Sequence, residues 1–214
     1  VMGFYAWRGP IDLDGKPTGR MIERFTAVKR ASHWAMALSF VALAVTGLVT
    51  TFGKAVLLPL IGYTLFSWLA TISTLVHNFT GPLFAVAVPV FIVLFVRDNL
   101  PKAYDLKWLA KFGGMLDRSG NTHVPSGKFN AGEKGLFWSL VVVVSLVLVV
   151  TGYILNFPNF DQTRETMQLA NIIHLVAALL GIAMACLHIY MGTVGMKGAL
   201  DAMRYGYVDE TWAK

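Results

Sequence analysis

Charged side chains are scarce in this sequence, and long stretches contain none. Only 14% of the 214 residues are charged, whereas an average soluble domain has about 25%. Four windows have no Asp, Glu, Lys or Arg, and these are residues 31–53, 55–96, 135–160 and 166–196. Each exceeds the roughly 20 residues that a helix needs to cross the hydrocarbon core of a bilayer. The scarcity of charge therefore excludes an ordinary soluble domain and predicts an all-α membrane protein with four spans.

Cysteine is almost absent as well. Cys186 is the only one in the sequence, so an internal disulfide is excluded. Because it lies in the last apolar window, we expect it to act as a small buried hydrophobic side chain. The sequence opens with Val1 instead of methionine, and we expect that the natural chain begins earlier.

The second charge-free window is too long for a single span. Pro59 and Gly62 break its first part, so we predict a loop or a short interfacial helix at 53–67, before the membrane helix begins. The four predicted spans are residues 34–52, 68–96, 136–157 and 169–196. They form a transmembrane domain of residues 31–196, which lies between an N-terminal segment of residues 1–30 and a C-terminal tail of residues 197–214.

Basic residues are distributed unevenly along the chain. The formal net charge of +6 could by itself indicate a nucleic acid partner. All but two of the 18 Lys and Arg residues, however, lie in the segments 1–30, 97–134 and 197–214, and the exceptions are Lys54 and Arg164. Cytoplasmic segments of membrane proteins carry such an excess of Lys and Arg. We therefore predict that both termini and the middle loop are cytoplasmic and that no nucleic acid is bound.

Histidines are unusual in apolar windows of this kind, because an imidazole can become charged near neutral pH. His33, His77, His174 and His188 lie there, whereas His123 lies in a polar loop. Any one of the four could be a neutral ring that a carbonyl or hydroxyl of a neighbouring helix satisfies. His174 and His188, however, are fourteen residues apart, so both lie on one helix face, about 21 Å from each other. One helix thus offers possible ligands at two depths.

The four histidines sort into two pairs by depth. At about 1.5 Å per residue from the cytoplasmic helix ends, His33 and His188 lie about 5 and 14 Å deep, and His77 and His174 lie about 30 and 35 Å deep. Paired imidazoles on facing helices of a four-helix bundle suit the two axial positions of haem iron. One glycine on each span leaves room for a macrocycle; these are Gly47, Gly81, Gly152 and Gly181. We therefore predict two haems b with two histidine ligands each.

Other readings of the histidines are weaker. Zinc needs about four converging ligands, and a proton relay usually includes acidic residues within the spans, which have none. A haem-free four-span anchor or small transporter, with histidines that line a cavity or pack helices, remains an alternative. Hydrogen bonds to the free ligand nitrogens would tune a haem, and the candidates for this role are Ser32, Thr46, Ser73, Thr74 and Asn171.

A polar stretch, GKFNAGEKGLFWSL at 127–140, precedes the third span. Asn130 and Gly132 can cap a helix whose first turn carries Glu133, with Trp138 as an interface anchor. A second interpretation starts from the haems, which would carry electrons across the bilayer from a partner protein to a lipid-soluble acceptor such as quinone. The same stretch then offers an amide, a flexible backbone and an ionisable carboxylate to that acceptor.

Several motifs carry a family resemblance; they are KRASHW, LVHNFTG, GKFNAGEKGLFWS, TGYIL, IIHLVAAL and CLHIYMG. They resemble segments of the gamma subunit of respiratory formate dehydrogenase, the dihaem cytochrome b that anchors the complex in the bacterial inner membrane. The similarity runs from about residue 24 to residue 214. It implies that His33 and His188 bind the cytoplasmic haem and that His77 and His174 bind the periplasmic one, which are the pairs that depth predicts.

The resemblance also implies partners. An iron-sulfur beta subunit would pass electrons from a molybdenum or tungsten alpha subunit, which oxidises formate in the periplasm. This chain would transfer electrons and reduce quinone as part of a formate:quinone oxidoreductase, without touching formate itself. Electrons moving inward, with proton uptake from the cytoplasm, would build a proton-motive force. Related cytochrome b subunits serve nickel-iron hydrogenase or thiosulfate reductase, and these are the alternative partners.

A quinone site is implied beside the cytoplasmic haem. It comprises Asn130, Gly132, Glu133 and His188, and either menaquinone or ubiquinone would bind there. Better-known members of the family have Gln where this chain has Glu133. We therefore expect that Glu133 donates protons to the reduced quinone.

Overall fold

The structure of the protein is a computed structural model, which describes residues 3, 6, 7, 9–11, 17–114, 124 and 126–213. His123 lies outside the described residues. The described chain is mostly helical. Its long helices are α1 (Ala27–Val56), α2 (Leu58–Phe95), α4 (Ala131–Leu136) continuing through the π-helical segment Phe137–Val144 into α5 (Ser145–Asn156), and α6 (Arg164–Tyr190) followed by the π-helical segment Met191–Gly195.

Short elements lie between the long helices and at both ends of the chain. They are β1 (Met21–Glu23), a 3₁₀ turn at Val96–Asn99, α3 (Ala103–Ala110), a 3₁₀ turn at Phe112–Gly114, α7 (Ala199–Arg204), β2 (Tyr207–Asp209) and α8 (Glu210–Ala213).

Four helices in the described part of the chain are long and apolar enough to cross a membrane, as the charge-free windows predict. They are Ala27–Val56, Leu58–Asn99, Ala131–Asn156 and Arg164–Gly195. The protein is therefore a membrane protein. Each helix begins before the span predicted for it, and the first two also end after it, because backbone hydrogen bonding does not stop where the hydrocarbon ends. The limits of the spans themselves stay a prediction.

The second long helix begins earlier than its predicted start at Trp68. Helical structure starts at Leu58, where Pro59 is tolerated because the first turn of a helix needs no backbone N–H partner. Gly62 then interrupts the helix with φ 77° and ψ 169°, a conformation that favours glycine. The break predicted from Pro59 and Gly62 is thus confirmed at Gly62, but the helix resumes directly after it.

Cys186 is exposed on α6, so the prediction that it is buried is wrong. Most apolar side chains of this helix are exposed too, among them Leu179, Leu180, Leu187 and Ile189. In a membrane helix an apolar residue can face lipid, so an apolar window does not separate core positions from surface positions.

The chain divides into two compact units. The first unit comprises Val1–Ala31, Ile92–Val143 and Ala183–Lys214, and the second comprises Ser32–Phe91 and Val144–Ile182. Each long helix contributes residues to both. The second unit contains His77 and His174, whereas the stretch 127–140 belongs to the first.

Strands β1 and β2 join the two ends of the chain within the first unit. They pair antiparallel, with Met21 opposite Asp209. The Asp209 carboxylate accepts hydrogen bonds from the backbone N–H groups of Thr211 at 2.9 Å, Thr18 at 3.1 Å and Gly19 at 2.7 Å. These bonds, foremost that from Thr211, lower the pKa of Asp209 to about 2. The carboxylate thereby fixes the N-terminal segment to the C-terminal tail.

Arg24 fixes a third segment to these two. Its guanidinium lies 4.3 Å from the centre of the Trp212 ring and 5.7 Å from that of Phe129. It also donates a hydrogen bond to the backbone carbonyl of Lys128. A cation over aromatic faces is stabilising, more so when it is partly removed from water. The stretch 127–140 is therefore attached to both ends of the chain just before α4 begins.

A buried ion pair fixes α4 to α3. The ammonium of Lys134 lies 3.0 and 2.8 Å from the two carboxylate oxygens of Asp105, and the two residues are only 5% and 8% exposed. One of these oxygens also accepts a hydrogen bond from the backbone N–H of Lys102 at 2.7 Å. Burial raises the pKa of Asp105, but the bonds from Lys134 and Lys102 outweigh it and leave that pKa lowered. The carboxylate is thus held in its charged form.

Replacing Lys134 with Met should destabilise the protein, because it leaves the Asp105 carboxylate buried without its partner. We expect a loss of about 3–5 kcal/mol in the free energy of unfolding. The control is Lys128→Met, which breaks the more exposed pair with Asp98 at 3.2 Å and should cost less than about 1 kcal/mol. Thermal unfolding in detergent measures both. Equal losses in the two variants would contradict the assignment.

The same pair predicts a pH dependence. Because the pKa of Asp105 in the folded chain lies below its ordinary 3.8, the stabilisation is fully present above that value and is lost as the pH falls below it. Lys134→Met should therefore lower the melting temperature more at neutral pH than at strongly acidic pH. A difference that stays constant across this range would argue against the ion pair as its source.

Candidate functional site

The imidazole rings of His77 on α2 and His174 on α6 face each other within the second unit. Their centres are 6.3 Å apart and their planes differ by 68°. A metal–imidazole bond is about 2.0–2.1 Å long and its nitrogen lies about 1.15 Å from the ring centre, so two rings on opposite sides of one metal ion have centres about 6.4 Å apart. The observed spacing would therefore fit two imidazoles that bind one metal ion from opposite sides.

Each of these rings is held by a threonine from another helix. The Nδ1 atom of His77 lies 3.0 Å from the hydroxyl oxygen of Thr46 on α1, and the Nδ1 atom of His174 lies 2.8 Å from that of Thr151 on α5. Thr46 is among the residues that the sequence predicts for such a contact, whereas Thr151 is not. The signal was present in the motif TGYIL, which begins with this threonine.

The contacts of the two threonines indicate which imidazole nitrogen carries a proton. Thr46 donates to the carbonyl of Ala42 at 2.7 Å, and Thr151 donates to that of Val147 at 2.6 Å. A hydroxyl has only one proton to donate. With that proton directed to the carbonyl, the hydroxyl accepts from the imidazole, and Nδ1 is then the protonated nitrogen in both rings. Nε2 then keeps its lone pair, as a neutral metal-ligating histidine requires.

A cavity of about 460 Å³ in the second unit is lined by both histidines and by three of the predicted glycines. A Cβ atom added to Gly81 would meet no atom within 4 Å, whereas one on Gly47 would lie 3.2 Å from Cε1 of His77 and one on Gly152 would lie 3.4 Å from Cε1 of His174. Gly81 thus leaves cavity space open, while the other two make room for the imidazoles. Gly181 is buried in α6.

These residues fit a haem better than a bare metal ion. Within the described ranges, no group of three or more His, Cys, Asp or Glu side chains could hold a metal. If His77 and His174 supply two ligands to a site, a planar macrocycle between them would supply the remaining ones. The cavity beside the rings is lined mainly by apolar side chains, including Phe40, Phe84 and Leu148, and suits the apolar body of a porphyrin.

The remaining pair of predicted ligands lies in different units. His33 is half-buried in the second unit, where its ring packs edge-on against Trp34 at 5.3 Å and tilted against Phe91 at 6.1 Å. His188 is near the end of α6 in the first unit. Their role as a ligand pair stays a prediction.

The start of α4 is a capping box, which confirms the capping interpretation of this stretch. The backbone N–H of Glu133 donates to the Asn130 side-chain oxygen at 2.9 Å, and the backbone N–H of Asn130 donates to the Glu133 carboxylate at 2.8 Å. At Gly132 an added Cβ would lie 2.9 Å from the Trp108 ring, so this position admits no side chain without movement. The quinone role of these residues stays a prediction.

The other candidates for hydrogen bonds to the ligands have different surroundings. Thr74 is exposed and donates to the carbonyl of Ala70, one turn back on its own helix. Asn171 lines the cavity. Ser32 and Ser73 are buried.

Comparison with known proteins assigns the chain to a family. The family model of prokaryotic cytochrome b561 matches residues 24–206. The chain belongs to this family. A haem of the b type is thus implied as its cofactor, and the residues around His77 and His174 fit one.

Individual relatives are cytochrome subunits of formate dehydrogenases. The cytochrome b556(Fdn) subunit of the nitrate-inducible enzyme of Escherichia coli K12 is 32% identical over 205 residues, which cover 91% of this chain and 88% of the relative. The cytochrome b556(fdo) subunit of the same organism is 30% identical, with 90% and 88% covered. The subunit from Haemophilus influenzae is 27% identical, with 90% and 79% covered. The resemblance found in the sequence motifs is confirmed.

Proposed function

We propose that this protein is the membrane cytochrome b subunit of a formate dehydrogenase and that its four intramembrane histidines hold two haems b. The relatives that share most of its length support the choice of complex. The observation that carries the haem proposal is the spacing of 6.3 Å between the rings of His77 and His174. Their Nδ1 protons are engaged by threonines, which leaves both Nε2 atoms as ligands.

His33 and His188 are the proposed ligands of the second haem. Both lie closer to the cytoplasmic helix ends than His77 and His174 do, and this supports the pairing. His174 and His188 share a helix face. One helix would therefore provide a ligand to each haem.

The bound haems would supply one-electron transfer from an iron-sulfur subunit, itself supplied by a molybdenum or tungsten formate-oxidising subunit, to menaquinone or ubiquinone. The direction of this transfer depends on which side of the membrane each end of the chain faces. Its excess of Lys and Arg in the terminal and middle segments supports cytoplasmic termini in a bacterial inner membrane. Quinone reduced near that side takes its protons from the cytoplasm and so contributes to the proton-motive force.

The proposed quinone site lies at the start of α4 and includes Asn130, Gly132, Glu133 and His188, all of which belong to the first unit. Glu133 supports the proposal because it places an ionisable carboxyl group in the first turn of α4. The capping box holds this carboxyl group at the end of the helix, and Gly132 keeps the backbone beside it free of a side chain. Glu133 is the proposed proton donor to reduced quinone.

Histidine replacements test the haem ligands. His77→Ala or His174→Ala should each remove the outer haem, and His33→Ala or His188→Ala should each remove the inner one, because an axial ligand is lost. His123→Ala is the matched control and should retain both. The reduced-minus-oxidised spectrum of the purified complex gives the number of haems per chain in each variant and so tests the ligand assignment.

The same variants should differ in electron transfer. Loss of either outer ligand should abolish the reduction of the chain by formate, whereas loss of an inner ligand should spare it and block quinone reduction. If all four variants lose both haems to the same extent, the assignment of ligands to two separate haems is wrong.

Glu133→Gln tests the proton donor without disturbing the helix start, since Gln also occupies this position in capping boxes. Removing the ionisable group should make quinone reduction slower and change its pH dependence between about pH 6 and 9. Glu165→Gln, in the first turn of α6, is the control and should leave the pH profile unchanged. A wild-type profile in Glu133→Gln would refute the donor role.

Purification of the complex through this chain tests the choice of partner. Co-purification of an iron-sulfur subunit and of a molybdenum or tungsten subunit, with formate-dependent reduction of the haem bands, is the expected result. A nickel-iron hydrogenase or a thiosulfate reductase in the same fraction would instead show that the chain serves the alternative complex.

A further inference from the structure

Two short segments of the chain repeat each other. Residues 43–47 read LAVTG on α1, and residues 148–152 read LVVTG on α5. The two segments are identical except at their second position, which is Ala44 in one and Val149 in the other. The two segments belong to different helices, and each lies against a different histidine.

Both segments make the same two contacts with their histidine. Each threonine hydroxyl lies against Nδ1, as described above. The following glycine faces Cε1 of the same ring, where an added Cβ would lie 3.2 Å away at Gly47 and 3.4 Å away at Gly152. The repeat is therefore a repeated imidazole-binding site.

The threonine of each segment is a strong acceptor. Its hydroxyl donates to a backbone carbonyl four residues earlier at 2.7 or 2.6 Å, and a hydroxyl that donates in this way is polarised and accepts more strongly. A good acceptor at Nδ1–H makes the imidazole a more basic ligand. A more basic axial ligand favours the ferric over the ferrous state of a haem.

We propose that Thr46 and Thr151 are positioning residues for the haem between His77 and His174: each fixes the proton on Nδ1 and the plane of its imidazole, and together they lower the reduction potential of that haem. The proposal rests on the function proposed above, because it needs a haem at this site. It assigns to the L-x-V-T-G repeat a role in tuning the haem in addition to holding it. The glycine at its end allows the ring to reach the threonine.

Redox titration of the haem in membranes that contain the full chain tests the proposal. Thr46→Val and Thr151→Val keep the shape of the side chain and remove the acceptor. Each should increase the ratio of ferrous to ferric haem at a fixed ambient potential about threefold to tenfold, which corresponds to about 30 to 59 mV for one electron. The two shifts should have the same sign, because the two sites have the same contacts.

Two further variants separate this role from a general effect of the substitution. Thr46→Ser retains the hydroxyl and should retain the wild-type potential. Thr74→Val removes a threonine that donates to a carbonyl of its own helix at 2.9 Å, so it should leave the potential unchanged.

The EPR spectrum of the ferric haem provides a second measurement, because its low-field line depends on the angle between the ligand planes, which is 68° here. This line should move in both Val variants.

Each result decides the question. Haem retained in both Val variants, with unchanged potential and EPR spectrum, would overturn the positioning role and leave the proposed function intact. Loss of haem in the Val variants supports the role if Thr46→Ser keeps haem and potential, and overturns it if Thr46→Ser loses haem too. A wild-type chain without haem would instead refute the proposed function.

Discussion

Two polar rings must stand opposite each other at a fixed distance inside a part of the chain that is otherwise apolar. This constraint, met by His77 and His174 with centres 6.3 Å apart, accounts for the surrounding residues. A buried imidazole N–H without a partner is costly where water is absent. A threonine on a third helix accepts from one ring, and a threonine on a fourth helix accepts from the other. Glycine follows each threonine because a side chain there would press on the ring. The cavity beside the rings remains open for a macrocycle.

The start of α4 is organised by a different principle, that of charge. A capping box, a buried ion pair between Lys134 and Asp105, and the guanidinium of Arg24 over aromatic rings fix it to the neighbouring segments. None of these groups lies in the apolar middle of a span. The proposed quinone site thus lies on a rigid polar framework, whereas the haem site depends on small residues and hydroxyl groups among apolar helices.

The sequence alone predicts the helices and the pairing of His77 with His174, because both follow from counting residues along regular helices. It does not reveal Thr151 as a partner of His174, since a contact between helices depends on how each helix is rotated about its axis. For the same reason the burial predicted for Cys186 is wrong, because an apolar window does not show which of its residues face lipid. The ion pair of Lys134 with Asp105 joins residues 29 positions apart, and no local pattern marks it. The repeat of L-x-V-T-G becomes meaningful only when both copies are seen against an imidazole.

An experimental density map of the purified complex tests the central claim most directly. The account predicts a flat macrocycle between His77 and His174, with its iron bonded to Nε2 of both rings and each Nδ1 facing a threonine hydroxyl. Lipid or bare protein between the two rings, or an iron bound to other residues, would contradict it.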